Sequence, residues 1–361
     1  MKKMLKMRIR WLIMLLIPLL LLTGCSANQN GTLGNGSAGS ELRSGLEFNL
    51  NGDGTEYSVT WVGLCDAESI TVPESYLGKP VTELEEYAFG GAWNLKTVTL
   101  PAGLKVIGKG AFAGCVKLEA LTVPDGVTAV KTAAFDQCSS LKTIVLPESV
   151  TEIGEIVFRG CAALTDAVLP AGLTGIPDGM FAECKNLTAI VIPEGVTAIG
   201  TSAFMNCTKL SGVTLPPALC SIGEVAFAGC AALTELSVPA GVRRLENWVF
   251  ARCTSLRNVT LSDGVERIGC YAFNACTGLE TVDIPASVNR IEHYAFGSCE
   301  KLSTICYRGT SGEWDSVDKL QQWAWNHPKN LVIDCSGDKT KSGMAFCCCR
   351  APFSYATGIV L

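Results

Sequence analysis

The chain has 361 residues, a formal net charge of −5 and 48% apolar residues. That balance is too apolar for a disordered chain, and no basic tract outside the N-terminus suits binding to nucleic-acid phosphate. The 18 cysteines put the redox compartment in question at once, because so many thiols in an exported chain ordinarily form disulfides.

The chain opens on a targeting pattern rather than on a fold. Lys2, Lys3, Lys6, Arg8 and Arg10 form a basic segment, and Trp11 to Leu22 is an apolar run interrupted by Pro18. The run is too short for a comfortable membrane span. It ends in Leu22-Thr23-Gly24-Cys25, which resembles the bacterial lipobox. Residues 1–24 are therefore expected to be a lipoprotein signal peptide, and Cys25 the lipidated first residue of the mature chain. Such a lipid holds the membrane by burying methylenes at about 0.8 kcal/mol each. Residues 25–45, rich in Gly, Ser and Asn, read as a flexible tether.

Residues 46–88 read as an N-terminal cap and an irregular first repeat. Asn49 to Gly54 is a turn signal and Tyr57 to Val62 a strand, which together suggest a hairpin. Ile70-Thr71-Val72-Pro73 is a strand of the type that recurs later.

From residue 89 a phenylalanine recurs every 23 residues, ten times, from Phe89 to Phe296. A cysteine follows three positions later in nine of the ten, Cys115 to Cys299, and Ala92 stands in the remaining one. A fixed period of this length predicts a solenoid, whose units bury their apolar faces only against one another. Counting each Phe as position 0, Leu118, Leu121 and Val123 occupy +6, +9 and +11, and the alternation places a short strand there. Proline at +12 ends the strand, as at Pro124 and Pro147. Glycines at +14 and +19 are expected to supply turns, and an apolar pair stands at +15 and +18, as in Val127 and Val130. The segment around Phe and Cys reads as a short helical or irregular turn. Ten such repeats cover residues 89–302, and each ring is expected in the core, where its burial is worth roughly 1.5–3 kcal/mol.

Residues 303–335 read as a C-terminal cap in which Trp314, Trp323 and Trp325 pack. Residues 336–361 form an irregular tail, whose Cys347-Cys348-Cys349 has no partner ligands at metal spacing. The nine repeat cysteines fall in one column. Their Cβ atoms should run parallel at about the 4.8 Å strand spacing, longer than the roughly 3.8 Å a disulfide prefers. They are expected to be reduced. Cys220, Cys270 and Cys306 occupy unrelated columns, and Cys65 and Cys335 lie in opposite caps.

A catalytic Ser/His/Asp or Cys/His site would have to use His293 or His327, one at a variable turn position and one in the cap. Asp166, Glu235 and Asp283 project from the strand face but lie two or more repeats apart, roughly 10 Å or more. The chain is read as no enzyme, with neither cofactor nor metal. Two surfaces are instead candidates for a partner. The outward position +10 carries Val145, Val168 and Val191 on an otherwise Thr-rich face, a contact surface or the ordinary preference of strands for valine. In the last units Arg244, Arg267 and Arg290 repeat at +17, and Trp248, Tyr271 and Tyr294 at +21. This composition suits a binding hot spot or, alternatively, aromatics packed beneath arginine stems near the cap.

The run from Leu187 to Cys207, L-x-x-L-x-L-P-x-x-V-T-x-I-G-x-x-A-F-x-x-C in pattern, resembles the BspA-like, treponemal class of leucine-rich repeat, over about residues 46–335. That resemblance implies a right-handed curved leucine-rich-repeat solenoid with strands on the concave side. It also implies display on a bacterial surface and, for some members, adhesion. The chain is thus read as a lipid-anchored, extracytoplasmic binding module for a host or bacterial surface protein or glycan, with no nucleic-acid partner. The alternative is an envelope-spacing protein without a dedicated ligand.

Overall fold

The computed structural model describes residues 45–62, 67–326, 328 and 330–339. Met1–Gly45 and Leu46–Leu361 are separate units, and the second contains the solenoid. Cys25, Cys65, His327 and Cys347 to Cys349 lie outside the described residues.

The 23-residue period becomes a coil held to its neighbours by three ladders of backbone hydrogen bonds. The first is the expected one. Its strands include Thr97–Thr99, Thr143–Val145, Asp166–Val168 and Asn258–Leu261, and successive coils pair in parallel, residue i with i+23, as in Ile144 with Ala167. Outward and inward residues alternate strictly: in Thr143–Val145 the flanking residues are exposed and Ile144 is buried. The inward residues at +9 and +11 meet Leu at +6, which is fully buried in every repeat.

A second ladder was not expected from the sequence. Two-residue strands such as Ala129–Val130 and Arg267–Ile268 pair in parallel at +17 and +18. The apolar residue at +18 fills the core, while the residue at +17 is exposed or half-buried in every such strand except at Ala129, which is buried. Strands this short have no readable alternation, so only the buried half of the pair shows in the sequence.

The third ladder runs through the phenylalanine turn. Amides at −2, 0 and +2 donate to carbonyls of the following coil: Ala133 to Glu155, Phe135 to Val157 and Gln137 to Arg159, at 2.9, 2.9 and 2.7 Å. The residues at −2 and +2 have positive φ, Ala133 and Gln137 both at 60°. A helix would spend these amides on itself. The left-handed residues turn them towards the next coil, which is why this segment forms turns rather than helices.

Glycine at +19 has a different role from the expected one. Gly108, Gly154 and Gly200 do not have positive φ. A Cβ at Gly108 would lie 2.7 Å from the Glu85 carbonyl, and one at Gly200 2.6 Å from the Asp178 amide. Glycine is needed there because the preceding coil's backbone packs against it.

Inside the coils the ten Phe rings stack in one column, adjacent centroids 4.9–5.5 Å apart and planes 2–20° from parallel. The cysteine column beside it is reduced and buried. Each thiol donates to the Phe carbonyl of the preceding coil at 3.1–3.3 Å, from Cys115 to Phe89 through Cys299 to Phe273. The cysteine is therefore a hydrogen-bonding stitch as well as a small apolar filler. Burial pushes the Cys115 and Cys230 thiols up to about 12.

Both ends of the stack are closed. At the N-terminal end β1 (Leu46–Leu50) and β2 (Tyr57–Val62) pair antiparallel, and β2 extends the second ladder through Lys79–Leu84. At the other end α1 (Ser311–Ser316) is held by a capping box between Thr310 and Glu313. It carries Trp314 into a chain of edge contacts: Tyr307–Trp314 at 5.2 Å, Trp314–Trp323 at 6.0 Å, and Trp323 against Phe296 at 6.2 Å and 87°. Trp314 and Trp323 thus terminate the Phe column, while Trp325 remains exposed.

Candidate binding face

The first ladder presents its +8 and +10 residues to solvent from Thr97 to Thr260 and leaves them half-buried in the strands Thr281–Ile284 and Thr304–Tyr307. Val145, Val168 and Val191 are 58%, 47% and 84% exposed, and the register sets Val145 directly beside Val168. The strand turns them outward because Ile144, Ala167 and Ile190 occupy the core side. Three exposed valines in neighbouring coils make a continuous apolar strip with threonines on either side: Thr99 and Thr122 before it, Thr214 after it.

Past the strand and its proline, position +13 is exposed again. It carries Asp125, Glu148 and Glu194, and Glu74 in the irregular first repeat. The +10 and +13 columns share a shallow groove of about 480 Å³ at the first coils, lined by Glu74, Thr99, Thr122 and Asp125. Glu74 and Glu148 also hold the following coil, accepting from the amides of Ala102 at 3.0 Å and Ala171 at 2.9 Å.

The arginine and aromatic columns lie on different ladders. Trp248, Tyr271 and Tyr294 stack face to face, centroids 4.0 and 5.0 Å apart, and Trp325 adds an edge contact to Tyr294 at 6.3 Å. All three column members have positive φ, at −2 from the next Phe. Arg244, Arg267 and Arg290 pair in register on the second ladder. Their charges meet acids: Arg244 with Glu246 at 3.3 Å, Arg290 with Asp318 at 2.8 Å, and Arg267 with Glu292. Among the described residues no arginine lies over a ring of the aromatic column.

Glu292 was not foreseen. It is buried, contacts Arg267, and accepts from the Cys270 thiol at 3.0 Å. Burial pushes its carboxyl up, but Cys270, Arg267 and Arg244 outweigh burial and leave it below the ordinary range. A signal for it exists: Glu246 and Glu292 stand at +19, where five other repeats have glycine. The bidentate pair of Arg159 with Asp136, at 2.8 and 2.6 Å, was also missed, although opposite charges 23 residues apart announce it.

Of the titratable groups weighed for chemistry, His293 is exposed and its Nδ1 lies 3.0 Å from the Gln321 carbonyl. Asp283 meets Arg308 at 3.1 Å, and burial nevertheless raises its carboxyl. Among the described residues no group of three or more His, Cys, Asp or Glu could hold a metal ion.

A family model described as BspA type leucine rich repeat region matches residues 63–188 and 174–303. A leucine-rich-repeat protein of T. pallidum is 33% identical over 53% of this chain and 89% of its own, with a TM-score of 0.51. A leucine-rich-repeat protein from Bacteroides ovatus is similar in fold, at 23% identity over 80% of this chain and 89% of its own, with a TM-score of 0.56. No curated protein matches the chain.

Proposed function

Since the chain belongs to the BspA-type leucine-rich-repeat family, we propose that its coils are a binding scaffold carried outside the cell, with a surface protein or glycan as ligand. The observation that carries this reading is the strip of Val145, Val168 and Val191. A solenoid needs nothing apolar on its outward strand positions, since stacking already buries its core. Exposed apolar residues in three consecutive coils are better explained by contact. The arginine–aromatic edge is a weaker surface for a ligand, because the arginine heads are already paired and the ring faces are spent on one another.

Leu22-Thr23-Gly24-Cys25 supports attachment to a bacterial membrane through lipid on Cys25, with residues 25–45 as spacer. Incorporation of labelled palmitate should disappear in Cys25→Ser, and retained label would remove the anchor.

Binding itself is tested with the purified chain on arrays of bacterial cells, matrix proteins and glycans. The expected result is saturable binding that the triple replacement Val145→Thr, Val168→Thr, Val191→Thr abolishes. Binding that the triple variant leaves intact moves the ligand to another surface. No saturable ligand at all favours the envelope-spacing role.

A further inference from the structure

We propose that the valine face docks an extended, cationic polypeptide segment whose apolar residues alternate with Lys or Arg. This rests on the reading of that face as a binding surface and adds the chemistry of the partner.

Charge supplies the argument. Val145 and Val191 have the exposed carboxylates of Glu148 and Glu194 at +13 of their own coils, Val168 has Ala171 there, and in the preceding coils the groove at Glu74, Thr99, Thr122 and Asp125 shows the +10 and +13 columns forming one concavity. Several other acids on this protein are neutralised by the adjacent coil: Lys142 pairs with Glu119 at 2.7 Å, Lys131 with Glu152 at 2.6 Å and Lys109 with Glu86 at 2.6 Å. Among the described residues no lysine or arginine pairs with Asp125, Glu148 or Glu194, nor with Asp166 at +8 on the other side of the strip. Asp125 and Glu148 stand in successive coils, about 4.8 Å apart along the stack. Like charges this close repel, and a cation arriving between them relieves the repulsion. An apolar strip with an unneutralised acidic rim therefore complements a partner that is both apolar and basic.

Shape selects an extended segment. The columns run along the stack, one residue per coil. From the Thr99 coil to the Val191 coil is about 19 Å at 4.8 Å per coil, the length of about six residues of strand. Alternate side chains of such a segment face the valines, and the intervening Lys or Arg side chains are long enough to bend back along the surface to the carboxylates. A glycan would find no aromatic face in the strip, and an acidic segment would meet repulsion along the rim.

The test uses the purified full chain and three fluorescent eight-residue peptides: alternating Lys-Val, alternating Lys-Ser and alternating Glu-Val. Anisotropy titrations should give saturable binding for Lys-Val, at least about tenfold weaker binding for Lys-Ser, and none for Glu-Val. The variant Asp125→Asn, Glu148→Gln, Glu194→Gln should weaken Lys-Val about tenfold and flatten its dependence on salt. The valine-to-threonine triple variant should weaken it about as much and leave the salt dependence in place. Equal binding of Lys-Val and Lys-Ser, or an acid variant indistinguishable from the parent, overturns the proposal. If the valine variant loses an array ligand while the acid variant keeps it, the binding face stands and only the cationic partner falls.

Discussion

Val225 occupies a backbone conformation that branching at Cβ makes costly. It stands at −2 from Phe227 with φ of 53°, and Ile156 holds the equivalent place at 51°. Non-glycine residues in this region cost about 1–3 kcal/mol, and branched ones sit at the upper end. The coil tolerates the cost because the third ladder requires the geometry: Val225 donates to Asn247 at 3.1 Å. Asparagine reaches the left-handed region readily without the entropic penalty of glycine. Val225→Asn is therefore expected to stabilise the protein by about 1 kcal/mol, once the half-buried valine's lost contacts are set against the relieved strain. Urea unfolding checks this: the midpoint should rise with the slope unchanged. This column was illegible in the sequence. It holds Tyr87, Gly110, Ala133, Ile156, Gly179, Ser202, Val225, Trp248, Tyr271 and Tyr294, types with no common preference except φ itself. The core was legible because Phe, Leu and Cys at 0, +6 and +3 are selected for size, which residue type reports directly.

At the scale of the coil, each element depends on its two neighbours. Phe204 stacks on Phe181 at 5.5 Å and on Phe227 at 5.0 Å, and is fully buried. Phe204→Ala is expected to cost about 3–5 kcal/mol. Because coupling is between nearest neighbours, hydrogen exchange should accelerate in the amides of that coil and the adjoining two, with distant coils unchanged. Uniform acceleration along the stack would contradict the nearest-neighbour picture. The coils around Glu292 have a second dependence. Its carboxyl is held below the ordinary value of 4.5. A group depressed on folding contributes stability that is complete above its unfolded value and is lost as pH falls through the folded one. The coils from Arg244 to Lys319 should therefore loosen before the middle of the stack as pH falls below the ordinary carboxyl value of 4.5. Exchange measured at pH 3 and pH 7 resolves this, and Glu292→Gln should remove the regional difference. The period revealed the coil and its outward columns, hence the valine strip. It could not reveal Glu292 as a hub, since its importance lies in side chains from three coils converging on a place where the repeat ordinarily has glycine.

Over the whole molecule, the reduced cysteine column adds a titration that no single coil displays. Burial raises the thiols of Cys115, Cys138, Cys161, Cys184, Cys207, Cys230 and Cys299, and contact with Cys276 followed by burial raises Cys253. In the unfolded chain the same thiols ionise at their ordinary value of 9.0. Between that value and about 12 the unfolded state has released protons that the folded state keeps, so stability falls as pH rises. Each such thiol contributes a slope of about 1.4 kcal/mol per pH unit, and the contributions act in the same direction. The protein should hold its stability across neutral pH and lose it steeply above about pH 9. Modification of the column thiols by a thiol reagent at pH 7 should likewise await unfolding, because the thiolate is the reactive form. Unfolding midpoints in urea at pH 7, 9 and 10.5, compared between the parent and a variant with Cys161, Cys184 and Cys207 replaced by Ala, isolate the effect. Each replacement forfeits the 3.1–3.3 Å bond to the preceding coil and leaves a small cavity, so the variant starts lower at pH 7. It should nevertheless lose less between pH 9 and 10.5, and an equal loss in the two proteins would place the alkaline weakness outside the cysteine column.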